Sequence, residues 1–274
     1  MLTDYHVHLR PDGPDTPAER YFTAANAERY QAAAQEAGIG DLGVSEHIYR
    51  FRDALEVWQH PLWRDSARDD IESYCGFLAE QGLKVGIEAD FIPGTEDRMA
   101  GVLDRCDFDY VLGSVHFLGD DAVDHEGYDI WDTGRDPEAI WRRYFDTVAE
   151  AARSGLFDIL AHPDLVKVWG ERRPAPGRDA RHYYEPLVEA VAETGVVVEV
   201  STAGLRKPAS ELYPGPALLE MLVDAGARFA LSSDAHRPED LGYSYEQAVA
   251  TLRDAGVSSV CVFSGRRCSE QDLG

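Results

Sequence analysis

Six times along this chain an amphipathic stretch closes on a glycine and a short apolar run follows. Gly38 precedes Leu42-Gly43-Val44, Gly82 precedes Val85-Gly86-Ile87, and Gly155 precedes Ile159-Leu160-Ala161. Gly195 stands before Val196 to Val200, Gly226 before Phe229-Ala230-Leu231, and Gly256 before Val260 to Phe263. A glycine in that place ends a helix, because it takes the left-handed conformation that other residues resist. Strands alternating with helices of about 10 to 18 residues require a parallel sheet, since a parallel neighbour is reached only by a long crossover. The helical stretches run near Ala18 to Ala37, Asp65 to Gln81, Pro137 to Ser154, Arg181 to Thr194, Pro216 to Ala225 and Tyr245 to Ala255. Asp136 is an N-cap with proline at the first helical position behind it. Asp4 to His8 and Tyr110 to His116 bring the strand candidates to about eight, which fits a closed or nearly closed barrel better than an open sheet. No linker, repeat or low-complexity tract divides the 274 residues, so 1–274 reads as a single α/β domain.

Histidines and carboxylates stand where these apolar runs end: His6 and His8, Glu46 and His47, Glu88, His116, His162, then Asp234 and His236. In a parallel barrel the C-terminal strand ends form one rim, and catalytic groups are drawn from several of them. His6 and His8 are two apart, so their rings share a face of the strand. Taken singly, each has a plainer reading: Glu88 as a structural ion pair, His116 or His162 as a ring bonded to a backbone carbonyl. Repetition at the same end of several strands favours a metal hydrolase over core packing. Mixed nitrogen and oxygen donors suit Zn, Fe or Mn alike.

Charge narrows the substrate. Lys+Arg 26 against Asp+Glu 50 gives a formal net charge of -24, so a polynucleotide backbone is repelled and no nucleic-acid partner is expected. An anionic small molecule needs a local positive field, which bound divalent cations supply. Cys75, Cys106, Cys261 and Cys268 show no Cys-x-x-Cys spacing, and no disulfide framework is indicated. No run of about 18 apolar residues exists, so no membrane span is expected and the compartment reads as cytoplasmic. Oligomeric state stays open. Arg206, and Lys167 with Arg172 and Arg173, occupy rim loops where a cation grips phosphate. Arg206 is the best phosphate ligand, while the Lys167 group has the alternative of balancing nearby acids in solvent. His60 and His182 lie away from strand ends and read as structural.

The ordered set His6-Val7-His8, Glu46-His47, Glu88, Gly113-Ser114-Val115-His116, His162-Pro163 and Ser233-Asp234-Ala235-His236 resembles the motifs of the PHP (polymerase and histidinol phosphatase) superfamily and spans nearly the whole chain. Gly86 to Gly94, Phe108 to His116 and Ser201 to Arg206 are similar to histidinol-phosphate phosphatases of histidine biosynthesis. The resemblance implies a distorted (β/α)7 TIM-like barrel, hence seven strands plus one accessory run. It implies two or three divalent metal ions: one held by His6, His8, Glu88 and Asp234, a second by Glu88, His116 and His162, a third with His47 and His236. The implied activity is that of a phosphomonoesterase hydrolysing L-histidinol phosphate to L-histidinol and inorganic phosphate, by attack of metal-bound hydroxide on phosphorus. Asp234 and His236 are then candidates to protonate the leaving alkoxide, and Arg206 and Lys167 to hold phosphate. In the loop after His116, His125 and Asp129 are candidates to receive the ammonium or imidazole of histidinol. One departure stands out. The family commonly offers another histidine or cysteine after the first strand, whereas this loop reads Leu9-Arg10-Pro11-Asp12-Gly13-Pro14-Asp15, leaving Asp12 or Asp15 as a substitute oxygen donor. The alternatives are a PHP phosphoesterase for another sugar or nucleotide phosphate, and a metal-binding regulatory protein without turnover. An amidohydrolase also opens with His-x-His, but it needs a lysine at the end of the fourth strand, which this chain lacks.

Overall fold

The computed structural model describes residues 2–13 and 15–273. Its strands are β1 (Leu2–Asp4), β2 (Ile39–Val44), β3 (Lys84–Asp90), β4 (Tyr110–Ser114), β5 (Phe117–Leu118), β6 (Asp121–Ala122), β7 (Ile159–Leu160), β8 (Val197–Ser201), β9 (Phe229–Ser232), β10 (Ser259–Ser264) and β11 (Arg267–Asp272). Seven of them form one sheet in the order β1-β2-β3-β4-β7-β8-β9. Every neighbouring pair in it is parallel. The sheet curls until its ends meet. Val7 bridges Ala235, His8 N donates to Ala235 O at 2.8 Å, and the Asp4 carboxylate accepts from the Ser233 amide at 2.9 Å. This is the nearly closed parallel barrel that the pattern implied, with the seven strands that the family resemblance implied. The accessory run, β10, does not join it. It turns back through Gly265 and Arg266 to pair antiparallel with β11, a strand too polar to show an apolar period.

The crossovers carry helices α1 (Ala18–Tyr21), α2 (Ala24–Glu36), α3 (Pro61–Ser66), α4 (Ile71–Glu80), α5 (Glu96–Leu103), α6 (Pro137–Arg153), α7 (Arg181–Thr194), α8 (Pro216–Asp224) and α9 (Tyr245–Asp254). The last four lie where the sequence placed them, to within a residue at the C-terminal ends. The first two expectations need correction. The span from Ala18 to Ala37 is two helices, because the Thr23 hydroxyl accepts from the Asn26 amide and restarts the chain as α2. The span from Asp65 to Gln81 likewise begins as α4 at Ile71, where the Asp70 carboxylate accepts from Ser73 N at 2.8 Å. The sequence reading missed α5; eight residues are too few to display a helical period.

The β10–β11 hairpin closes the N-terminal mouth of the barrel. Cys261 and Phe263 pack under Tyr5, Tyr110, Leu112 and Ile159, all fully or nearly fully buried. Tyr110 fits because Gly43 and Gly86 have no Cβ; a methyl group on either would overlap its ring. That floor leaves the opposite mouth free for the polar residues. No helix among the described residues is long and apolar enough to cross a membrane.

Candidate metal centre

Glu88 lies inside β3, not after it as the apolar run had indicated, since the strand continues to Asp90 in register with Leu112 and Ser114 of β4. It is 1% exposed. Its Oε2 is 2.5 Å from Nδ1 of His47, 3.3 Å from Nε2 of His6 and 3.7 Å from Nε2 of His8. Its Oε1 is 3.1 Å from Nε2 of His162 and 3.3 Å from Nε2 of His116. Asp234 Oδ1 lies 3.5 Å from His8 Nε2 and 3.6 Å from both His6 Nε2 and His236 Nδ1. All eight residues expected to hold metal therefore meet in one pocket at the rim. Three groupings have donor atoms within 4.8 Å of one another: His6, His8 and Asp234; His6, Glu88 and His162; His8, His47 and His236.

The first loop supplies a further donor. Asp12 Oδ1 is 3.4 Å from His47 Nε2, and its Oδ2 is 3.0 Å from His236 Nε2. Arg50 Nη2 holds the same carboxylate at 3.1 Å. Asp15 is exposed.

These residues fit divalent cations. Buried polar atoms are ordinarily paired. Here His6 Nε2 and both nitrogens of His8 are buried without a hydrogen-bond partner, while His47 Nδ1, His236 Nε2 and Glu88 Oε2 face opposite charges without a well-aligned hydrogen bond, and all of them converge. Electrostatics point the same way. Burial pushes the Glu88 carboxyl up, but His47, His6 and His116 outweigh it and hold the group well below the ordinary range. Asp234 is held down similarly, against burial, by His6, His8 and His236. Burial, reinforced by His236 and His47, drives His8 down to about 3, so its ring is neutral, the form that metal binding requires. Burial also opposes protonation of His47, yet Glu88 and Asp12 lift it to about 9. Some of these imidazoles carry protons that arriving cations would displace.

Two of the rings are held by acids behind them. His116 Nδ1 is 2.6 Å from Asp90 Oδ1, and His6 Nδ1 is 2.8 Å from Glu199 Oε1. Sequence reading passed over both carboxylates. The signals were Asp90 two residues after Glu88, hence on the same face, and Glu199 as the lone acid in an apolar strand. His162 and Asp234 sit at φ 24° and 52°, a backbone region costing on the order of 1–3 kcal/mol for such residues, and one met often at functional sites. Glu46, beside His47, belongs to a different network. Despite burial, Arg10 at 3.0 Å and Arg50 at 3.6 Å bring its carboxyl down to about 2.

The remaining candidates are placed differently. Arg206 Nη2 donates to the carbonyls of Ser233 at 2.7 Å and Asp234 at 3.0 Å, while its Nη1 is buried and unpartnered. Lys167 is engaged by Asp164 at 2.8 Å, Glu211 at 3.0 Å and the Leu212 carbonyl at 2.9 Å. Asp129 caps a short turn by accepting from Trp131 N at 2.9 Å and pairs with Arg173. His125 is exposed and accepts from Gly127 N at 3.0 Å. Among the described residues, no hydrogen bond or ion pair joins Lys167, Asp129 or His125 to the cluster. His60 accepts from Leu62 N and stacks on Trp58, a structural use.

Comparison with known proteins adds an independent line. The PHP domain family matches residues 21–203. A probable histidinol-phosphatase of Deinococcus radiodurans is 35% identical over 267 residues, covering 94% of this chain and 95% of its own. A histidinol-phosphatase of Bacillus subtilis is 24% identical, over 89% of this chain and 96% of its own. Among solved structures, the histidinol phosphate phosphatase of Lactococcus lactis subsp. lactis, complexed with zinc, L-histidinol and phosphate, aligns with a TM-score of 0.73 at 19% identity over 98% of each chain. That likeness speaks for the fold.

Proposed function

Because the chain belongs to the PHP domain family, we propose that it is a metal-dependent phosphomonoesterase that hydrolyses L-histidinol phosphate to L-histidinol and inorganic phosphate in histidine biosynthesis. The observation that carries the reaction class is the meeting of six imidazoles with Glu88 and Asp234, with His6 Nε2 and both nitrogens of His8 left without a hydrogen-bond partner. The substrate rests on the relatives and their names.

His6, His8, Glu88 and Asp234 would hold one ion, and Glu88, His116 and His162 a second. A third would take His47 and His236, with Asp12 as oxygen donor. Two or three ions fit this set, and zinc, iron and manganese all accept such ligands. When bound, divalent cations lower the pKa of water toward about 7 and neutralise phosphate oxygens. The chain's own residues do the rest. Glu88 turns one oxygen to His6 and His47 and the other to His116 and His162, so it would contribute to holding both ions. Asp90 and Glu199 fix ring orientation from behind. Arg206, anchored through Nη2, offers Nη1 to the phosphate as a charge-assisted donor. Of the two residues expected to protonate the leaving alkoxide, Asp234 is a poor donor, because the surrounding imidazoles hold it as carboxylate. His236 would keep that role only while it holds no ion; burial opposes its proton, and Asp12 and Asp234 retain it. The four cysteines are free thiols, which suits a reducing cytoplasm.

The test is initial-rate hydrolysis of a phosphate-ester panel that includes L-histidinol phosphate, with metals stripped and then restored. Activity should vanish with a chelator, return with added metal, and favour L-histidinol phosphate by roughly tenfold or more in kcat/KM. Preference for another ester would displace the substrate and spare the chemistry. Turnover indifferent to metal would overturn the reading.

A further inference from the structure

Glu199 is the single acidic residue of β8, set between Val198 and Val200 and 1% exposed. A carboxylate buried in an apolar strand is costly unless its lone pairs are used. Three donors from the ends of three other strands use them. Oε1 accepts from Nδ1 of His6, beyond β1, at 2.8 Å and from the Ser232 hydroxyl, at the end of β9, at 2.5 Å. Oε2 accepts from the backbone N–H of His162, beyond β7, at 2.5 Å.

We propose that Glu199 is the positioning residue of the metal centre, aiming His6 through its ring and His162 through its backbone so that both present Nε2 to Glu88. This rests on the metal-cluster reading above. A neutral imidazole has one N–H, so a proton donated from Nδ1 leaves Nε2 free as a lone pair. For His6 that lone pair faces Glu88 Oε2 at 3.3 Å. His162 is handled otherwise. Its Nδ1 has no partner, so no acid fixes the ring from behind. The ring is aimed instead by the φ of 24°, a conformation that a non-glycine residue avoids and that the bond to Glu199 holds in place. Its Nε2 then lies 3.1 Å from Glu88 Oε1. Asp90 orients one ligand, His116. Glu199 ties together two, His6 and His162, and thereby sets the spacing between the two ions that they would hold with Glu88.

The decisive variant is Glu199→Gln. It keeps the shape but replaces one accepting oxygen with an N–H₂ group, so one ligand meets a donor where it needs an acceptor. Zinc affinity, measured by chelator competition, should fall roughly 10- to 100-fold, the scale found for partners behind metal ligands. Ser232→Ala removes only the third donor and should bind zinc nearly as the wild type does. In zinc-loaded wild-type protein, imidazole ¹⁵N NMR should show His6 protonated at Nδ1 and ligated through Nε2. Unchanged zinc affinity in Glu199→Gln, or His6 ligated through Nδ1, would overturn the assignment. If Glu199→Gln does not fold, the NMR measurement on the wild type decides alone. A wild-type protein that binds no zinc, iron or manganese sinks the metal reading and this inference together, whereas normal metal binding with an indifferent variant sinks only the role of Glu199.

Discussion

At the floor of the barrel the Tyr5 hydroxyl donates to Asp41 at 2.6 Å and accepts from the Phe263 amide at 3.1 Å, and Lys84 donates to the Phe263 carbonyl at 2.6 Å. At the rim, one residue beyond Tyr5, His6 Nε2 has no partner, and His8 has none on either nitrogen. Of the floor groups among the described residues only the Tyr110 hydroxyl is left over, and its ring packs against those of Tyr5 and Phe263. The floor therefore contributes stability through apolar burial and satisfied bonds. The rim gathers unpaired donors, like-charged neighbours and two strained backbones, a local cost that the rest of the barrel carries and that only ligands relieve.

The sharpest way to break this contrast is Glu88→Gln. It should lower kcat/KM by about 10³-fold or more, the scale of removing a group that organises transition-state charge. Metal content should fall with it, and the melting temperature of the stripped protein should fall as well, because the imidazoles that hold Glu88 ionised lose their counter-charge. Full activity and full metal content in that variant would end the distinction. On the floor, Tyr110→Ala should cost roughly 3–5 kcal/mol in urea unfolding, as deletion of a buried aromatic ring does, with metal ions per folded molecule unchanged. Metal loss in parallel would mean the two ends are not independent. The smallest effect belongs to neither end. Asp70 caps α4 at the surface, and Asp70→Ala should cost about 1 kcal/mol near neutral pH. The bonds to the Ser73 amide and hydroxyl hold the Asp70 carboxyl below its ordinary value. Its contribution is thus complete above about pH 4, the unfolded value, and disappears as pH falls through the lower folded one. Wild-type and variant melting temperatures should converge in that acid range. A gap that persists there would show that the cap acts by something other than its charge, and solvent screening keeps the whole effect modest.

Much of this molecule is written in short-range pattern. Glycine caps and apolar runs locate five of the seven barrel strands and the accessory run, because a helix end and a strand each show themselves within a few residues. That the eight candidate residues meet was legible for the same reason, since strand ends of a parallel barrel share one rim. What escaped were features without local period. Thr23 and Asp70 restart helices through a single side-chain bond each, and α5 and β11 are too short or too polar to stand out. The choice between Asp12 and Asp15 also escaped, because it depends on how the loop folds over His47 and His236.

The amino-acid sequence by itself determined that strands and helices alternate into a parallel barrel and that six histidines with Glu88 and Asp234 line one end of it. Alternation, capping and strand-end placement act between near neighbours, so a linear reading captures them. Only the tertiary structure decided who shares an atom with whom. Glu88 stands at the centre of five imidazoles, Glu46 turns instead to Arg10 and Arg50, and Glu199 reaches His6 across 193 residues of chain. Those pairings follow from strand register and barrel closure, which bring distant residues within ångströms and leave no trace in the order of neighbours.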